Sequence, residues 1–423
     1  MLQKISVDQL RLGMHLHELC GAWLDHPFWK TKFVLRDPAD LKKLLDSGIK
    51  EVWIDDAKGL PVQPDSPAVA PKRDMPVKVA ARPKEAAPAP APAPSTGPPP
   101  ATSSIQDEVR KAASVVNQSR AAVVALFNEA RMGKALDASG CAELVNEVAA
   151  SVYRNPGAVV SLARLKTKDD YTYMHSVAVC ALMISLGRQL NLSEAEVRDA
   201  GMAGLLHDMG KAVMPLEVLN KPGKLTDDEF TIIKSHPERG HEMLLTGEGV
   251  SPVALDVCLH HHERPDGKGY PHGLLDEQIS LFAKMGSVCD VYDAITSNRP
   301  YKAGWDPAES IGKMASWRNG QFDEKVFQAF VKSLGIYPTG SLVRMKSGRL
   351  AVVVEQNETS MVNPKVKVFF STKSEMRISV ELIDLSSPSC NDAIVGRESN
   401  DKWKFPNLDE LWAGADALKR MGH

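Results

Sequence analysis

Apolar positions between residues 105 and 335 recur with the spacing of an amphipathic helix, and no stretch there alternates convincingly with the period of two that a strand needs. Val177, Ala181 and Ile184 mark one helical face, and Val326, Phe327, Phe330, Val331 and Leu334 mark another. Helix starts recur along the same region. Ser193 with Glu196 and Thr226 with Glu229 have the spacing of capping boxes, and Asp306-Pro307 with Glu309 places proline at a first helical position. An all-α bundle follows. From Gly340 the period shortens: Leu342-Val343, Leu350 to Val354, Val366 to Phe370 and Ile378 to Leu382 read as three or four strands of a small antiparallel sheet. A short helical tail near Leu408 to Lys419 closes the chain, and this β-rich extension is expected to serve packing or an interface.

Ahead of the bundle, residues 1–60 read as a small α+β unit. Apolar positions fall in Val34-Leu35-Arg36, a helix is expected from Pro38 to Ser47 and a short strand at Val52-Trp53-Ile54, with Phe28, Trp29, Phe33 and Trp53 as the core. A unit this small buries little apolar surface, so support from another domain or from a second copy, as in a homodimer, is expected. Residues 61–104 hold 13 of the 28 prolines, interleaved with alanine, a composition that favours an extended spacer over any core. The chain therefore divides into 1–60, 61–104, 105–335 and 336–423, and is mainly α.

Composition narrows the picture only a little. The formal charge of −2 gives no footprint for a nucleic-acid polymer. Met1-Leu2-Gln3-Lys4 is not followed by the apolar run of a signal peptide, and the uncharged stretch Val177 to Gly187 is too short to span a bilayer. The six cysteines show no CxxC spacing, which argues against a zinc knuckle or a disulfide framework. A cytoplasmic protein is expected.

The chemistry lies in the histidines, eight of whose twelve fall between residues 175 and 272. In Leu205-Leu206-His207-Asp208-Met209-Gly210-Lys211 an apolar helix runs into His-Asp and stops at a glycine. Imidazole and carboxylate at the end of a buried helix are costly to desolvate unless a cation meets them. His175 lies near a helix start, His236 precedes a proline that perturbs its helix, and His261-His262 end a further helix. Asp290 and Asp293 share one helical face. Neighbours within a helix diverge by about 100°, so His207 with Asp208, and His261 with His262, are each expected to serve different ions. Two metals sharing a carboxylate suit that divergence and suit phosphoryl chemistry. Lys211, Arg264, Lys268 with Tyr270, and the pair Arg299/Lys302 add positive charge for a phosphate-bearing substrate, with Lys268 the one best read as a solvated surface charge.

His207-Asp208-Met209-Gly210-Lys211, His261-His262-Glu263-Arg264-Pro265-Asp266-Gly267-Lys268-Gly269-Tyr270-Pro271, and Asp290-Val291-Tyr292-Asp293-Ala294 through Arg299-Pro300-Tyr301-Lys302 resemble the HD-GYP family of metal-dependent phosphohydrolases. Residues 1–60 also resemble the small domain that often precedes it. The resemblance implies hydrolysis of cyclic di-GMP to linear pGpG, and onward to GMP in some members, in the bacterial second-messenger signalling tied to biofilm and motility. It implies that His175, His207, Asp208, His236, His261, His262 and Asp290 bind two divalent metals, iron or manganese, with His260 a bystander. Asp208 and Lys211 would be catalytic, Lys211 contacting a metal-bridging hydroxide or the scissile phosphate. Arg299 and Lys302 would hold phosphate oxygens, while Arg264, Asp266 and the Gly269-Tyr270-Pro271 loop would border the nucleotide. Members with a third metal carry glutamate where this chain has Tyr171, which implies two metals here and pGpG as the main product. Two alternatives stay open: a scaffold on the same fold that contacts diguanylate cyclases or other signalling proteins, and another cyclic dinucleotide or a nucleotide phosphate as substrate.

Overall fold

The computed structural model describes residues 2–20, 33–45, 51–60, 105–134, 136–165, 171–221, 223–297, 304–357 and 360–421. It divides into two compact units, Met1–Pro99 and Pro100–His423.

The first unit is a four-stranded antiparallel sheet with one helix. Strands β1 (Leu2–Ser6), β2 (His15–Cys20), β3 (Phe33–Val34) and β4 (Glu51–Asp55) lie in the order β1-β4-β2-β3, and α1 (Pro38–Leu45) precedes β4. Helix α1 and strand β4 fall where the pattern placed them; β1, β2 and β3 were not foreseen. The core is aliphatic, built from Ile5, Leu10, Met14, Leu16, Leu35, Leu44, Val52 and Ile54. This corrects the aromatic expectation at Trp53. Side chains alternate along a strand, so Val52 and Ile54 turn inward while Trp53 stays half-buried on the opposite face. Phe28, Trp29 and the side chain of Phe33 lie outside the described residues.

The second unit opens with α2 (Ile105–Arg131), α3 (Ser139–Arg154), α4 (Pro156–Arg164), α5 (Tyr171–Gln189) and α6 (Glu194–Leu206). The short α7 (Leu216–Leu219) follows, then α8 (Asp227–Lys234), α9 (His236–Leu245), α10 (Pro252–His260), α11 (Leu281–Thr296), α12 (Pro307–Gln321) and α13 (Glu324–Leu334). Both capping boxes form, on Ser193 and Thr226, and Asp306 accepts from the backbone N–H groups of Ala308 and Glu309. Every residue from Met174 to Gly187 is buried, which makes α5 the central helix. It can be central because α6 presents glycine to it. A Cβ on Gly204 would stand 2.8 Å from the Val179 carbonyl oxygen, so the two helices meet nearly backbone to backbone.

Strands β5 (Leu342–Met345), β6 (Arg349–Glu355), β7 (Lys365–Ser371), β8 (Met376–Asp384) and β9 (Ile394–Arg397) make an antiparallel sheet in the order β8-β7-β6-β5-β9. The fifth strand, β9, was not read from the sequence. Helices α14 (Asn400–Trp403), α15 (Leu408–Ala413) and α16 (Ala415–Arg420) follow, the last two separated by Gly414 at φ +82°. The sheet is tied to the helices: Leu342 N donates to Asp306 Oδ2, and the Arg397 guanidinium reaches the Ala308 carbonyl.

Candidate metal centre

Five helices bring seven side chains to one buried point. His175 comes from the second turn of α5, His207 caps the end of α6, and Asp208 follows it. His236 opens α9, His261 caps α10 with His262 next, and Asp290 lies in mid-α11. His175, His207, Asp208, His236, His261 and Asp290 are all buried, and His262 is 22% exposed. Pro237 begins a helix rather than perturbing one. It is the second residue of α9, where its missing N–H costs nothing.

Two groups of donor atoms form, His175 with His207 and Asp208, and His236 with His261 and His262. This corrects the expectation that chain neighbours would serve different ions. The 100° rule holds inside a helix, and both doublets straddle a helix end. After His207 the backbone leaves the α region, with Asp208 at φ −103° and ψ 13°, and α10 stops at His260. The rings of His261 and His262 consequently lie 4.1 Å apart, centroid to centroid. Asp208 stands between the groups. Its Oδ2 is 3.3 Å from His175 Nε2 and 3.4 Å from His207 Nε2, while Oδ1 is 3.2 Å from His236 Nε2 and 3.8 Å from His261 Nε2.

The hydrogen bonds around the rings indicate what belongs in the middle. His207 Nδ1 lies 2.8 Å from the Gly204 carbonyl, His236 Nδ1 2.7 Å from that of Ile233, and His261 Nδ1 3.0 Å from that of Val257. Only an N–H can meet a carbonyl, so each neutral ring carries its hydrogen outward and turns the Nε2 lone pair inward. Inward lone pairs then face one another at His236 and His261, whose Nε2 atoms are 3.4 Å apart, and His207 Nε2 lies 3.2 Å from His175 Nε2. Asp208 Oδ1, fully buried, has no hydrogen-bond donor among the described residues. Lone pairs converging on lone pairs and on a carboxylate are repulsive without a cation. The donor set fits divalent metal.

Electrostatics agree. Burial alone would raise the Asp208 carboxyl, but Lys211 and the surrounding histidines hold it well below the carboxylate range; Asp290, equally buried, is held down by His175, His262 and His207. Burial pushes His261 far down and His262 to about 3, so both rings are neutral at ordinary pH. His175 goes the other way, because its hydrogen bonds to Asp208, Asp290 and Asp293 outweigh burial and push it up to about 10.

Two participants were missed in the sequence. Asp293 Oδ2 accepts from His175 Nδ1 at 2.6 Å and so orients that ring; the shared face with Asp290 hinted at it. Glu263, 1% exposed, accepts from the backbone N–H groups of His272, Gly273 and Leu274 and closes the 263–275 loop around its carboxylate. Within that loop Tyr270 stacks on His262 at 4.6 Å, and the Tyr270–Pro271 bond is cis. A Cβ on Gly269 would meet the Arg264 nitrogen at 2.4 Å, so the loop closes only on glycine. Arg264 and Asp266 pair with each other at 2.7 and 3.1 Å. Lys268 is exposed. Lys211 Nζ meets Asp208 Oδ2 at 2.5 Å. His260 turns aside to Asp256 and His272. Arg299 and Lys302 lie outside the described residues, as does the side chain of Tyr171.

A helical bundle that gathers histidines and aspartates at one buried centre is the architecture of a metal-dependent hydrolase. Residues 155–326 match a model described as an HD domain, and residues 2–141 match one described as a domain of unknown function (DUF3391). The chain is 54% identical over 415 residues to a cyclic di-GMP phosphodiesterase of Pseudomonas aeruginosa, covering 98% of this chain and 96% of that one. It is 44% identical over 148 residues to a cyclic di-GMP phosphodiesterase response regulator of Xanthomonas campestris pv. campestris, covering 35% and 39%. It is also 34% identical over 167 residues to a 3'3'-cGAMP-specific phosphodiesterase of Vibrio cholerae, covering 39% and 38%. The chain belongs to the HD-GYP family of HD-domain metal-dependent phosphohydrolases. Among its described residues no helix is long and apolar enough to cross a membrane.

Proposed function

We propose that the chain hydrolyses cyclic di-GMP to linear pGpG at a centre of two divalent metal ions, iron or manganese. The observation that carries this reading is Asp208, whose two oxygens face two separate groups of inward-turned imidazoles. His175, His207 and Asp290 would hold one ion, His236, His261 and His262 the other, with Asp208 shared. Bound there, the metals would acidify water and polarise the phosphoryl oxygens.

The chain's own groups do the rest. Lys211, 23% exposed beside Asp208, offers a fixed positive charge where phosphoryl oxygens gain charge in an in-line attack. Asp293 keeps the His175 hydrogen on Nδ1 and its Nε2 lone pair inward. Tyr270, Gly269 and Pro271 wall the nucleotide side, with the Arg264–Asp266 pair bracing or engaging it, and Arg299 and Lys302 take phosphate oxygens. Tyr171 in place of the third-metal glutamate favours two ions and pGpG as the accumulating product. Support for the substrate comes from the relative that matches almost end to end. A second reading, 3'3'-cGAMP, is supported by the Vibrio cholerae relatives that match about two fifths of the chain.

Chromatography of products from the metal-loaded full chain, on cyclic di-GMP and 3'3'-cGAMP side by side, tests both. Faster turnover of cyclic di-GMP to pGpG, lost in a folded His207→Ala variant, is expected. Equal rates in parent and variant would refute the assignment.

A further inference from the structure

A second cavity, of about 480 Å³, opens beside α11, walled by the α3–α4 junction and the ends of α5, α13 and β6. That volume lies in the range of small-molecule sites. It meets the metal centre only at Asp293, whose carboxylate is already engaged by His175 and Ser297.

The charges on its wall do not cancel. Of its two acids, Asp293 is occupied as described, and Glu355 is paired with Lys365 at 2.9 Å. One base, Arg154, is spent on Glu108. Arg164, Arg188 and Lys332 remain. Arg188 donates to the Val152 carbonyl and lies 4.1 Å over the Tyr153 ring, which orients the guanidinium without neutralising it. Arg164 comes from the last turn of α4 and lies against Gly340, where its charge also acts on the buried Asp306 carboxyl; neither arginine forms an ion pair among the described residues.

We propose that this cavity is a second binding site, for a small multiply charged anion held by Arg164, Arg188 and Lys332. Guanidinium forks bind phosphate and carboxylate oxygens alike, so the ligand carries phosphate or several carboxylates. The site is separate from the metal centre and does not depend on the substrate proposed for it.

Calorimetric titration tests this on the full chain carrying His207→Ala, which weakens anion binding at the metal centre. The probes are inorganic pyrophosphate and citrate. Saturable one-to-one binding is expected, weakened about tenfold or more by Arg188→Gln or Arg164→Gln, the loss of one charge-assisted hydrogen bond. Binding of pyrophosphate alone assigns phosphate, and binding of citrate alone assigns carboxylate. Lys332→Gln, on an exposed helix surface, keeps the test available should either arginine variant fail to fold. No saturable binding of either probe, or binding untouched by the substitutions, would overturn the proposal.

Discussion

Removing the carboxylate behind His175 separates metal binding from folding. Asp293 accepts from His175 Nδ1 at 2.6 Å, with side-chain exposures of 4% for the histidine and 2% for the aspartate. Partners of this kind are worth about 10–100-fold in metal affinity, or about 1.4–2.8 kcal/mol. The structure ranks two substitutions within that range. In Asp293→Asn the amide oxygen can replace Oδ2 as acceptor, while the NH2 group can turn to Ser297 Oγ, now 3.2 Å from Oδ1. Orientation is kept and only charge is lost, so the lower end of the range applies. In Asp293→Ala nothing meets Nδ1, the ring is free to move its hydrogen to Nε2, and the upper end applies. Competition with a chromophoric chelator would measure Mn(II) affinity, beside kcat at saturating metal and thermal unfolding. Near-parental kcat at saturating Mn(II) is expected for Asp293→Asn. A parental metal affinity in folded Asp293→Ala would refute the orienting role.

Three further outcomes follow from the same geometry. A Cβ on Gly210 would lie 1.9 Å from the His236 carbonyl oxygen and 2.6 Å from Gly240 N, both unyielding backbone. Gly210→Ala should therefore lower stability by about 1–3 kcal/mol and the bound metal with it, and an unchanged melting temperature would contradict the packing. In the metal-free centre His175 is protonated up to about pH 10, since its folded pKa is raised, whereas Asp208 and Asp290 are ionised and His261 and His262 neutral. Metal must displace the His175 proton, so log affinity should climb by about one per pH unit between about pH 8 and 9; a flat dependence would contradict this. Glu263→Gln leaves one acceptor oxygen for three backbone donors and turns an NH2 toward one of them. We expect faster proteolysis within residues 263–275 and a raised KM, and an unaltered cleavage pattern would remove Glu263 from its role.

The metal-centre candidates were legible because their residue types are informative wherever they occur: histidines crowding into one quarter of the chain, and aspartates beside them on apolar helices. Legibility failed where tertiary placement decides. That chain neighbours diverge is true within a helix, but His207–Asp208 and His261–His262 lie across helix ends; α6 stops at Leu206, ahead of the glycine expected to end it, and Gly210 sits inside the 3₁₀ turn Met209–Val213. Glu263 and Asp293 serve groups far along the chain or across a turn, and a carboxylate's partner cannot be read from its neighbours. Strand β9 is four residues with a glycine inside, too short for alternation to register. In β1 only Ile5 is buried, so little of that strand's pattern reaches a core.

Metal content bears most directly on the claim that these side chains hold a pair of cations. Two ions per full-length chain after loading with Mn(II), falling to at most one in folded Asp208→Ala, is the expected result. A parent chain that binds none, or a variant that still binds two, would contradict it.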